Sequence, residues 1–203
     1  SQSGCIVAPG VADALAARLV ALEGFDAIYM TGFGTSLTRL GAPDVGLLTA
    51  TEMIDNASRI VDASGLPLIA DADTGYGNPI NMRRTIRDYE KTGAAGVHIE
   101  DQSWPKRCGH LAGKRVIPAA EMVAKIKAAC DACTDPHLAI LARYAMTLPA
   151  FREVVGTLVW DAAGSRSIAL GNVAGGTLLN MAVFGATISY AFIKEKDRNL
   201  TGV

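Results

Sequence analysis

Leu68-Ile69-Ala70-Asp71-Ala72-Asp73-Thr74-Gly75-Tyr76-Gly77-Asn78-Pro79 passes from apolar to acidic to glycine-rich to a helix start. Leu68–Ala72 reads as a short strand of the kind buried on both faces, where apolar residues run on instead of alternating. Asn78-Pro79 is an N-cap with proline at the first helical position. Met82, Ile86 and Tyr89 then line one helix face until Gly93 stops it. One strand, one acidic turn and one amphipathic helix follow in order.

The same unit repeats outward. Strands are predicted at Ile6–Val7, Ala27–Met30, Gly96–Ile99 and Leu138–Leu141. Helices are predicted from Asp13 to Leu22 with Leu15, Leu19 and Leu22 on one face, from the capping box Thr49-Ala50-Thr51-Glu52, and from Pro118. The second carries Met53, Ala57 and Ile60, the third Met122, Ile126 and Ala129. Alternation of such strands and helices means parallel βα units, and eight would close a (β/α)8 barrel of the TIM type.

Behind residue 143 the spacing tightens. Thr157–Trp160, Ser167–Leu170 and Ala186–Tyr190 are the strand candidates there. A parallel crossover needs about a dozen residues or more, and Trp160 and Ser167 lie closer than that. Either these strands are not parallel neighbours or helices are missing from the rear half. The second is the expectation: one barrel domain over residues 1–203, with segments absent after about 143.

Composition narrows the function. The chain has 203 residues, 19 Lys and Arg against 20 Asp and Glu, and is 50% apolar. Near-zero net charge gives no electrostatic case for nucleic acid or an anionic membrane surface. No apolar run approaches the roughly 20 residues that span a bilayer. The start, Ser1-Gln2-Ser3-Gly4, shows neither signal-peptide features nor Met. Cys5, Cys108, Cys130 and Cys133 are too few for a disulfide scaffold, and Cys130-x-x-Cys133 reads as two ordinary thiols. A reduced, cytoplasmic setting is the simplest expectation.

Polar residues gather at the predicted strand ends, which share one rim in a parallel barrel. Asp71 and Asp73, at i and i+2, leave the same strand face. Glu100, and Asp44 from the loop after the second strand, complete a cluster of four carboxylates. A hard divalent cation relieves such repulsion; Mg²⁺ suits it, with Mn²⁺ as a possible substitute. A single acid at a strand end is better read as a turn cap or a partner of Lys or Arg. Three at neighbouring ends favour metal.

Lys106-Arg107-Cys108-Gly109-His110 follows the fourth strand. Nearby cations favour the thiolate and hold anions, so Cys108 could give or take a proton while Arg107 and His110 bind carboxylates. A solvated basic loop is the alternative. Zinc is set aside because no further Cys or His stands at useful spacing. Gly32 and Gly34 suggest a dinucleotide fingerprint, but Leu37 stands where the third glycine belongs.

Asp71–Asn78, His98-Ile99-Glu100-Asp101-Gln102 and Lys106–His110 together resemble the isocitrate lyase / phosphoenolpyruvate mutase superfamily. Tyr29-Met30-Thr31-Gly32-Phe33 and Leu40-Gly41-Ala42-Pro43-Asp44 fit the same pattern. The resemblance covers 1–143 well. Further on, Thr157–Ala162, Gly171–Gly176 and Ala186–Phe192 are similar to the sixth, seventh and eighth strand regions.

The resemblance implies a (β/α)8 barrel, usually a homotetramer, binding Mg²⁺ and a small di- or tricarboxylate. It implies that Asp71 ligates the metal directly, and that Asp73, Glu100 and Asp44 hold its waters. Tyr29, Thr31, Gly32 and Phe33 would line an oxo-acid pocket, with backbone N–H groups of that loop on a carboxylate. Arg143 would clamp the substrate, and Gly109 and Asn172 would add contacts. The cysteine places the chain beside the carbon–carbon lyases, with Cys108 protonating an enolate and Arg107, His110 and Arg143 holding carboxylates. A 2-alkylmalate or methylisocitrate-type acid is the favoured substrate. A carboxyphosphonoenolpyruvate mutase or an oxaloacetate hydrolase is the alternative within the superfamily. Arg143 is followed by Tyr144-Ala145 where the family has Thr-Asp, and little chain follows Lys194. These departures keep open a non-catalytic barrel that binds metal and carboxylate.

Overall fold

A computed structural model describes residues 6–108, 111–144 and 168–172. The elements are β1 (Gly10–Val11), α1 (Ala14–Leu22), β2 (Ile28–Met30), α2 (Gly32–Leu40), α3 (Ala50–Ser64), β3 (Leu68–Asp71), α4 (Pro79–Glu90), β4 (Gly96–Glu100), α5 (Ala119–Ala132), β5 (Ala139–Tyr144) and β6 (Ile168–Asn172). The strands form one parallel sheet in the order β1-β2-β3-β4-β5-β6. Sequential parallel strands with intervening helices make a partial barrel of the TIM type.

The helix starts follow their caps. Thr49 accepts from the Glu52 amide while Glu52 accepts from the Thr49 amide, a complete capping box for α3. Asn78 caps α4 ahead of Pro79. Gly65 ends α3 in the left-handed conformation that favours glycine. The predicted stripes of α3, α4 and α5 are buried: Met53, Ala57 and Ile60; Met82, Ile86 and Tyr89; Met122, Ile126 and Ala129. They pack with Ile28, Met30, Leu68, Ala70, Val97, Ile99, Ile140 and Ala142 of the sheet. Each large side chain so buried contributes about 1.5–3 kcal/mol relative to exposure.

Four expectations change. The first strand is Gly10–Val11, not Ile6–Val7, and the latter pair is exposed. Pro9 has no N–H to give a ladder, so pairing starts at its carbonyl, which accepts from Tyr29. The leucines of α1 do not face the described core: Leu15, Leu19 and Leu22 are 71%, 55% and 70% exposed, and the helix buries Ala17 instead. Periodicity reveals an apolar face but not what covers it.

The third change concerns 31–36, read as a strand-end loop; it becomes α2. Thr31 caps it by accepting from the Gly34 amide. Both glycines are there for close approach. A Cβ at Gly32 would stand 2.8 Å from Asp71 Oδ2, and one at Gly34 3.0 Å from Ala12 Cβ. Last, the segment expected as the seventh strand, Ser167–Leu170, is β6 and pairs directly with β5, in the sixth place. The connection, residues 145–167, exceeds the dozen that a parallel crossover needs. The candidates Thr157–Trp160 and Ala186–Tyr190 lie outside the described residues.

Candidate active site

The sheet register brings the polar strand ends level. Asp71 stands opposite His98, and Glu100 opposite Arg143. Gly171 faces Arg143 and Asn172 faces Tyr144, so the β6 backbone carries Asn172 to the same rim. Gly109 and His110 lie outside the described residues.

Asp71 is fixed from three directions. Its Oδ2 accepts from the Gly32 amide at 3.1 Å and from the Tyr29 hydroxyl at 3.4 Å, and its Oδ1 accepts from the Asp73 amide at 2.9 Å. The Tyr29 hydroxyl also lies 3.0 Å from His98 Nδ1. Burial holds the His98 imidazole down to about 4, so it is neutral at pH 7. The Gly32 and Gly34 amides are thus engaged inside the protein, by Asp71 and Thr31 respectively. Phe33 is 45% exposed in the first turn of α2.

Lys106 organises the acids. Its Nζ pairs with Asp44 Oδ1 at 2.5 Å and with Asp73 Oδ1, and the side chain is only 3% exposed. Burial alone would lower this amine, but Asp73, Asp71, Asp44 and Glu100 together raise it well above its ordinary value. Two carboxylates thus pair with one ammonium, and Asp71 and Glu100 add to its field. Arg143 adds a second positive charge. Burial works against its charged form, and Tyr29, Glu100, Asp71 and Cys108 around it more than restore it.

Two cations do not balance four acids, and the carboxyl groups reflect it. Burial, then Asp71, pushes Asp73 up to about 8 despite Lys106. Burial, then Asp71, also raises Glu100. Asp71 is the exception: burial raises it, but Lys106, His98 and the Asp73 amide bring it below the ordinary carboxylate value. Oxygen donors with surplus negative charge suit a hard divalent cation. Among the described residues no three acidic, His or Cys side chains share a point from which all could ligate one ion. The donor chemistry suits a hard cation such as Mg²⁺, while the side chains as placed do not form a ready set of ligands.

The cysteine segment is fastened to this cluster. The Gln102 side chain accepts from the Arg107 amide at 3.0 Å and donates to the Arg107 carbonyl at 2.8 Å and to Glu100 Oε1 at 3.0 Å. The Cys108 amide donates to the Asp44 carbonyl at 2.9 Å, and the thiol is buried. Arg107 turns the other way. Its guanidinium donates to the Ala112 carbonyl on the exposed side. Three contributors were not assigned from sequence: Lys106, Gln102 and His98. All stood inside quoted motifs, and an alternation of acid and amide two residues apart (Glu100, Gln102) was the available signal.

The sequence model of the family described as phosphoenolpyruvate phosphomutase matches residues 1–169. The chain belongs to that family. Within the phosphoenolpyruvate phosphomutase family it is 54% identical over 143 residues to a 2,3-dimethylmalate lyase of Eubacterium barkeri, covering 70% of this chain and 50% of that one. A crystal structure of 2,3-dimethylmalate lyase, titled a PEP mutase/isocitrate lyase superfamily member, superposes with TM-score 0.74 at 41% identity, covering 88% of this chain and 60% of the other. A phosphonopyruvate hydrolase in complex with oxalate and Mg²⁺ superposes with TM-score 0.70 at 28% identity, covering 89% and 62%. The chain spans about half the length of the first of these relatives. No helix among the described residues is long and apolar enough to cross a membrane.

Proposed function

We propose that this site belongs to a Mg²⁺-dependent carbon–carbon lyase that cleaves a 2-alkylmalate or methylisocitrate-type acid into an α-oxo acid and a carboxylate. The observation that carries the reading is the fastening of the Cys108 segment to the acid cluster: Gln102 holds the Arg107 backbone and the Asp44 carbonyl accepts from the Cys108 amide. Simple binding of metal and carboxylate needs no thiol there. The 2,3-dimethylmalate lyase similarity supports the substrate class, and the Mg²⁺ and oxalate complex of the phosphonopyruvate hydrolase supports the metal.

In this reading Asp71 holds the metal, with Asp73, Glu100 and Asp44 on its waters. When bound, Mg²⁺ supplies Lewis-acid stabilisation of negative charge on the substrate oxygens, a role typically worth several kcal/mol. Arg143 binds a substrate carboxylate with its planar pair of donors. A base takes the proton of the substrate hydroxyl. The O–H electrons form the new carbonyl, the C–C bond breaks, and its electron pair passes into the carboxylate of the departing fragment as an enolate. The Cys108 thiol gives its proton to the enolate carbon, and the thiolate regains one from the proton the base removed. Gln102 and Asp44 hold the backbone that carries the thiol, at Arg107 and Cys108 respectively.

The test is turnover with Mg²⁺ on 2-methylisocitrate, 2,3-dimethylmalate, citramalate and oxaloacetate, reading pyruvate by lactate dehydrogenase and NADH. Pyruvate that disappears with EDTA supports the lyase and names the substrate. Oxalate and acetate from oxaloacetate would replace it with the hydrolase reading. A folded protein silent across the panel overturns it.

A further inference from the structure

Behind the acid cluster the chain takes an unusual path. Asp73 and Tyr76 have φ of 49° and 58°, in the left-handed region, beside Gly75 at 82°. Non-glycine residues stay there only when their surroundings hold them. Each carbonyl from Asp71 to Gly75 is held separately. Asp71 accepts from the Tyr89 hydroxyl at 2.9 Å, Ala72 from the Gly75 amide at 2.8 Å, and Asp73 from the Glu100 amide at 2.8 Å. Gly75 accepts from the Thr85 hydroxyl at 3.0 Å.

The Thr74 carbonyl accepts from Lys125 Nζ at 3.2 Å. Lys125 rises from α5 and is only 3% exposed. Among the described residues no carboxylate forms an ion pair with it. Burying an ammonium on one carbonyl is costly, since a neutral donor would satisfy the same oxygen more cheaply. Burial holds this amine below its ordinary value, partly offset by Glu121 one turn earlier. What the charge adds is a stronger, charge-assisted bond at the peptide that follows Asp73.

We infer that Lys125 is a positioning residue: its bond to the Thr74 carbonyl locks the Asp73–Tyr76 turn and so aims Asp73 at the cation site. Lys125 touches neither substrate nor metal and acts through the turn. The inference rests on the proposed metal site for its consequence, though not for the lock itself.

The experiment compares K125M with the wild-type chain by amide hydrogen exchange and by Mn²⁺ binding, followed by electron paramagnetic resonance. Exchange at Gly75 and Glu100, whose amides bond within the turn, is expected to speed up at least tenfold while β2 and α3 keep wild-type protection. Mn²⁺ affinity is expected to fall about tenfold, with K125Q, which keeps a donor, recovering part of both. Unchanged exchange at Gly75 and Glu100 overturns the inference, as does faster exchange with unaltered Mn²⁺ affinity. Faster exchange in a protein whose wild type binds no Mn²⁺ supports the lock and overturns the metal reading instead. If neither variant folds, Lys125 is a plain structural residue and the inference fails.

Discussion

Asp44 holds the cysteine segment twice: its carbonyl accepts from the Cys108 amide at 2.9 Å, and its carboxylate pairs with Lys106 at 2.5 Å. The residue proposed to hold a metal-bound water is therefore also the anchor for the proposed proton donor. The proposed metal site and the thiol are mechanically one unit.

Replacing Cys108 with Ser leaves this anchoring backbone bond in place and removes only the acidic thiol proton. General acid catalysis is typically worth about 10²–10⁴ in rate. C108S is expected to lose about that factor in kcat with little change in KM, measured by the coupled pyruvate assay. Unchanged turnover removes Cys108 from the mechanism.

Lys106 is the buried counter-charge, so K106M strands Asp44 and Asp73. Breaking a buried pair by removing one partner costs about 3–5 kcal/mol. The variant should melt well below wild type in EDTA and gain more from added Mg²⁺, because the ion then supplies the missing charge. Thermal melts with and without Mg²⁺ check this. Equal melting of the two proteins in EDTA would mean that the acids are balanced without Lys106.

Gly46 lies beneath Trp104. A Cβ there would meet Trp104 Cη2 at 2.6 Å, and φ of 79° is unsuited to alanine. G46A is expected to cost about 1–3 kcal/mol and to shift Trp104 fluorescence, because the ring must lift away. An unmoved emission spectrum with unaltered stability would sink this.

Glu90 closes the far end of α4 against the turn after α5. Burial raises its carboxyl, but the Asp135 amide, the Thr134 hydroxyl at 2.9 Å and the Thr134 amide at 2.7 Å hold it below the ordinary value. A depressed carboxylate stabilises the fold fully above its unfolded pKa of about 4.3, and the gain is lost as pH falls through the folded value below that. E90Q should cost about 1 kcal/mol at pH 7 and approach wild type near pH 3. Urea midpoints at the two values measure it; a gap that persists at low pH would show that charge is not the cause.

Most of the fold was legible because caps and stripes are local. Thr49 with Glu52, and Asn78 with Pro79, announce helices without reference to anything distant. Asp71, Asp73 and Glu100 were legible as a cluster because parallel strands must end on one rim. What stayed hidden depends on contacts far apart in the chain. Nothing in the residues around Lys106 says that it folds back onto Asp44. Gly32 and Gly34 read as loop because their reason, closeness to Asp71 and Ala12, lies elsewhere. The leucines of α1 announce an apolar face and cannot name its cover. Nothing in the residues around Lys125 says that its ammonium meets the Thr74 carbonyl, which lies far away in the chain.

The strict β1-to-β6 order of the sheet bears on how the chain reaches this shape. Among the described residues every strand hydrogen-bonds to its neighbours in chain order, so pairing can proceed in the order of synthesis, each new unit docking on the last. Asp44, Asp71, Asp73, Glu100 and Lys106 all emerge before Arg143. The acids and their ammonium can therefore come together before Arg143, the proposed substrate clamp, joins the sheet, with Lys106 offsetting their repulsion in that early cluster.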